Sequence, residues 1–102
     1  MATFISLINW TDQGIRQYPD SLRRAEAATQ LLQRLDGGLK DVYWTMGSHD
    51  LVAIVEAPDA ETATAAFLAI GAQGNIRTQT LRAFSREEMQ GIIDKVMPAE
   101  ET

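Results

Sequence analysis

Two short segments of this chain are apolar at consecutive positions, and that restricts the architectures open to it. Phe4, Ile5, Leu7 and Ile8 lie in the first, and Leu51, Val52, Ile54 and Val55 in the second. Successive side chains of a β-strand point to opposite faces, so such strands need cover on both sides. Two further segments alternate instead. In Leu39–Met46, Val42, Trp44 and Met46 oppose Asp41, Tyr43 and Thr45; in Asn75–Phe84, Leu81 and Ala83 oppose Thr78, Thr80 and Arg82. The first pair, Thr3–Asn9 and Leu51–Ala57, is expected at the centre of a sheet and the second pair at its edges.

The stretches between them read as helices. Thr11–Tyr18 forms a short helical turn, with Ile15 and Tyr18 on one side, before Pro19 interrupts it. Asp20 or Ser21 caps a longer helix, with Leu22, Ala25, Leu32 and Leu35 as its buried stripe and Arg23, Arg24, Glu26 and Gln33 as its wet side. Gly37-Gly38 ends it by tolerating the left-handed conformation. Gly47-Ser48-His49-Asp50 joins two strands as a hairpin. Pro58-Asp59 opens a helix that turns Ala63, Phe67 and Ile70 to the sheet and ends at Gly71 and Gly74. Ser85-Arg86-Glu87-Glu88 is a capping box for a last helix with Met89, Ile92, Ile93 and Val96 inward.

The order βαββαβ plus a C-terminal helix predicts an α+β, ferredoxin-like sandwich with an antiparallel sheet in the order 4-1-3-2. Residues 1–97 are expected as a single domain and 98–102 as a polar tail. Two helices cover only one face of four strands. The last helix is expected to cover part of the second face and a partner subunit the rest, which predicts a homo-oligomer.

Composition removes several function classes. A formal charge of −5 without a basic stripe argues against nucleic acid and anionic membrane surfaces. No apolar run approaches the roughly 20 residues of a membrane-spanning helix, and Met1–Asn9 lacks the basic start of a signal peptide. The cytoplasm is the expected compartment. With no cysteine, disulfides, thiolate metal sites and thiol catalysis are excluded.

Few groups are left to carry chemistry. His49 is the only histidine and the natural proton-transfer candidate, with Asp50 or Asp41 to orient it; the plainer reading is an exposed hairpin residue. Asp41, Glu56 and Asp59 have the chemistry of an oxygen-ligand metal site, but strand alternation gives Asp41 and Glu56 no obvious shared locus, so neither metal nor cofactor is expected. Asp41, Tyr43, Thr45, Thr78, Thr80 and Arg82 are assigned by alternation to the side away from the helices. Between two subunits they would line a polar cavity, Arg82 meeting an anionic or carbonyl ligand, or else a polar rim with cross-strand threonine pairs. Gly71-Ala72-Gln73-Gly74-Asn75 follows a helix and is a C-cap rather than a phosphate loop.

The stretches WTDQGIRQYPDSLRRAEAA, MGSHDLVAIVEAPD and GNIRTQTLRAFSREE together resemble the GYD domain family, across nearly the whole chain. Trp10 and Thr11 match the end of that family's first strand. Glu56-Ala57-Pro58-Asp59 and Gly74-Asn75-Ile76-Arg77-Thr78 match later motifs, while His49 replaces the tyrosine of the Gly-x-Tyr-Asp turn. The resemblance implies a plan similar to dimeric α+β barrel proteins. With one histidine and no evident nucleophile–base pair, the function expected is a non-enzymatic oligomeric module of this type, with an intersubunit cavity as the place for a small molecule. The alternative is a cofactor-free oxygenase or isomerase using His49, Tyr43, Asp41 or Arg82.

Overall fold

Strand register decides which side chains share a face, and here it divides the chain into two different surfaces. The structure, a computed structural model, describes residues 1–97; the expected tail lies outside them. β1 (Ala2–Trp10), β2 (Gly38–Trp44), β3 (Leu51–Ala57) and β4 (Ile76–Ala83) form one antiparallel sheet in the order β2-β3-β1-β4. The two strands apolar on both faces occupy the centre, as their pattern requires. α1 (Asp12–Arg16) and a 3-10 turn (Tyr18–Asp20) lead into α2 (Ser21–Arg34); α3 (Ala60–Ala72) joins β3 to β4, and α4 (Arg86–Val96) follows β4.

The core lies between the sheet and α2 and α3. Phe4 and Ile8 of β1, Leu51, Ala53 and Val55 of β3, Leu32 of α2, and Ala63 and Ala66 of α3 are buried there. Ser6 sits fully buried among them, satisfied by the Thr80 hydroxyl at 3.1 Å. The opposite, open side carries Ile5 and Leu7 of β1, Val52 and Ile54 of β3, and the more exposed Tyr43 and Leu81.

Register corrects the sides expected for β4. Thr78, Thr80 and Arg82 pair with Ile8, Ser6 and Phe4 and therefore lie on the helix side, whereas Leu81 and Ala83 pair with Ile5 and Thr3 on the open side. In β2 the expectation holds for Asp41 and Tyr43, paired with Ile54 and Val52 on the open side. A bulge between Leu39 and Asp41 inserts Lys40, whose ammonium lies 3.4 Å from Glu56.

Three helical details also differ. α2 ends in a Schellman motif whose left-handed residue is Asp36 (φ 62°), not a glycine: Gly37 donates to the Leu32 carbonyl and Asp36 to that of Gln33. Gly37 is required for space instead, since a Cβ there would collide with the Glu56 carbonyl oxygen. Leu22 is exposed and Arg24 turns inward, reversing their expected roles. Finally, α4 does not lie on the sheet. Among the described residues it makes no extensive packing with a strand or another helix beyond the Arg82–Glu88 pair at its start, and Met89, Ile93 and Val96 stay exposed.

Candidate functional site

The residues singled out by sequence fall into three separate places. The first is the β2–β3 connection, held against the end of β1. The Asn9 side chain donates to the Ser48 carbonyl at 2.8 Å and faces His49 Nδ1 with its oxygen at 3.1 Å. Because the Asn9 oxygen can only accept, Nδ1 is the donor of this bond. Asp50 does not orient the ring; its carboxylate accepts from the Trp10 N–H at 2.9 Å. Thr45 closes the same loop, its N–H donating to the Asp50 carbonyl at 2.8 Å and its hydroxyl to that of His49 at 2.7 Å. His49 is half-buried and its Nδ1 serves the loop.

The second place is the open side of the sheet, where Asp41 and Tyr43 border the apolar strip of β1 and β3. The third is the β4–α4 junction. Arg82 stacks over the Phe84 ring at 4.6 Å from its centroid, pairs with Glu88 at 3.0 Å, and donates to the carbonyls of Thr3 and Ala83. Glu88 accepts from the Ser85 N–H at 3.0 Å while Ser85 accepts from that of Glu88, completing the capping box. The Ser85 N–H, and then the Arg82 guanidinium, hold the Glu88 carboxyl below its ordinary value.

Thus Asp41 and Tyr43 share one face, Thr78, Thr80 and Arg82 the other, and Thr45 belongs to a loop. Glu56 pairs with Lys40, and Asp59 caps α3 by accepting from the Thr62 N–H at 2.7 Å; the Thr62 side chain, and then this N–H, hold the Asp59 carboxyl below its ordinary value. Among the described residues no three His, Cys, Asp or Glu side chains gather as a metal site would require, and no helix is long and apolar enough to cross a membrane.

Sequence reasoning missed a further feature on the helix side. A cavity of about 370 Å³ lies between the sheet, α2 and α3, and Arg24 lines it. The signal was present in the spacing. Arg24 precedes Ala28, Leu31, Leu32 and Leu35 by four, seven, eight and eleven residues, which places it on the buried stripe of α2.

Comparison with known proteins assigns the chain to a family. Over 85 residues it is 38% identical to the glutamine synthetase and cystathionine beta-lyase binding protein of Thermus thermophilus, covering 81% of this chain and 88% of that one. The crystal structure of TTHA0845, also from Thermus thermophilus, superposes with a TM-score of 0.53 at 28% identity, over 83% of this chain and 95% of the other. That of MtbAldR gives a TM-score of 0.57 at 15% identity, over 83% of this chain and 53% of the other, a likeness of fold alone. The model of the GYD domain matches residues 4–93, and the chain belongs to the GYD domain family.

Proposed function

We propose that this chain is a non-catalytic assembly module that associates with copies of itself through the open side of its sheet and presents the assembled surface to other proteins. One observation carries the reading. Among the described residues, neither the apolar strip Ile5, Leu7, Val52, Ile54 nor the apolar stripe of α4 is covered by another element. Apolar surface of that extent on a small domain marks an interface. The Thermus relative is named for binding two enzymes, which supports folded enzymes as the partner class. A small molecule held between subunits would meet Asp41 and Tyr43; Thr78, Thr80 and Arg82 lie on the far side of the sheet. The rival oxygenase or isomerase draws its groups from both faces and a loop, so it is the weaker reading.

Light scattering at micromolar concentration tests the assembly. The expected mass is a multiple of 11.3 kDa, and Ile54→Lys, which places a charge in the apolar strip, is expected to give a folded monomer. A wild-type monomer, or an Ile54→Lys protein that assembles normally, overturns the reading. Binding to purified glutamine synthetase and cystathionine beta-lyase then tests the partner class.

A further inference from the structure

We propose that the outer edge of β4 receives an extended acidic segment of a partner protein as a fifth strand, a carboxylate of that segment meeting Arg77. The edge lies in the plane of the sheet and not on its open side, so its occupancy does not depend on self-association.

The two edges of the sheet are built differently. β2 is interrupted by the bulge at Lys40. β4 pairs with β1 in an unbroken register from Ile76 to Ala83 and contains no proline, glycine or lysine, so it lacks the features that keep foreign strands away. It ends the strand order, and among the described residues no strand pairs with its other side. Alternate residues there turn their N–H and C=O groups outward.

α3 overhangs this edge. It faces α2 with Ala69 and Gln73, which line the space between those helices. Its Gly71 shares a shallow hollow with Ile76 and Arg77 at the start of β4. Leu68 precedes Gly71 by three residues, lies on the same flank and is 70% exposed. A strand added beside β4 would turn alternate side chains toward Leu68 and the others to the open side, beside Arg77 and Leu81.

Charge selects the occupant. The stretch from Asn75 to Arg86 holds Arg77, Arg82 and Arg86 and no carboxylate, in a chain of net charge −5. Arg82 is paired with Glu88, whereas Arg77 is exposed and makes no ion pair among the described residues. A second copy pairing β4 with β4 would bring these arginines alongside their equals, which opposes it. Glu87 and Glu88 follow Arg86 directly, so no basic stripe continues for a nucleic acid. An acidic strand satisfies the backbone edge and the free cation together.

The probe is a capped heptapeptide of alternating valine and glutamate, with its valine–lysine counterpart as the match. Calorimetry at low salt is expected to show the glutamate peptide binding about tenfold tighter, an attraction gained and a repulsion removed, and the ratio is expected to narrow as salt is raised. Amide exchange is expected to slow at the outward amides of Ile76–Ala83 and to stay unchanged in β2. Arg77→Gln is expected to abolish the preference and Leu68→Ser to weaken both peptides; both side chains are exposed, and neither change reaches the core. Ile54→Lys is expected to bind as the wild type does, which separates this result from the assembly reading. Equal affinities in the wild type, or slowed exchange confined to β2 or α4, overturn the proposal. Outward β4 amides already protected without peptide overturn it too, and assign the edge to a second copy.

Discussion

Gly14 shows how narrowly single positions are set. A Cβ there would overlap the backbone oxygen of Asn75, which also accepts from the Thr11 N–H. Neither backbone can yield without moving α1 off the α3–β4 loop, where the Thr11 hydroxyl also donates to the Gly74 carbonyl at 2.6 Å. Gly14→Ala is therefore expected to destabilise the fold by about 1–3 kcal/mol in denaturant titration, the range of overpacked sites. His49→Ala, which loses the bond to Asn9, is expected to cost about 1 kcal/mol with assembly unchanged. At this scale the sequence was only partly readable. The tie between Asn9 and His49 joins positions 40 residues apart, and no local pattern announces it. The sides of Thr78, Thr80 and Arg82 were misread for a physical reason: when both faces of a sheet await cover, an apolar residue such as Leu81 fits either one. Only the pairing with β1 chooses.

α4 is the element whose behaviour departs furthest from its pattern. Its cap and its Met89–Ile92–Ile93–Val96 spacing were legible, but that spacing states that a face is to be buried and not against what. An unpacked helix of 11 residues is marginal in water, so its amides are expected to exchange rapidly in the Ile54→Lys monomer and slowly in the assembly. Gly91 meets nothing where its Cβ would be. Gly91→Ala is accordingly expected to raise α4 helicity by about 1 kcal/mol of propensity without moving the denaturation midpoint of the domain. The cap also imposes a pH dependence with a definite sign. Because the folded pKa of Glu88 is lowered from 4.5, its contribution is complete above that value and is lost as pH falls through the folded one. Helicity measured by circular dichroism in the monomer is expected to decline on acidification below that value, and Glu88→Gln to flatten this part of the decline.

For the whole molecule, strand order and central placement were readable because they follow from which strands need cover on two sides. Overall shape was not, since it depends on where α4 goes. The radius of gyration is 16.2 Å, against about 13 Å for a compact chain of this length, and the extents are 58 × 31 × 18 Å. Small-angle scattering of the Ile54→Lys monomer is expected to return the larger value. A radius near the compact one would mean that α4 folds back onto its own sheet.

The bulge at Lys40 has a consequence for how such molecules accumulate. A sheet edge that is kinked and carries a charge is a poor template for another strand, so the outer rim of β2 does not lengthen by recruiting a neighbour. The proposed association through the open side would instead set copies face against face. If copies add along the sheet on crowding, they should therefore do so at β4, the opposite edge, and not at β2.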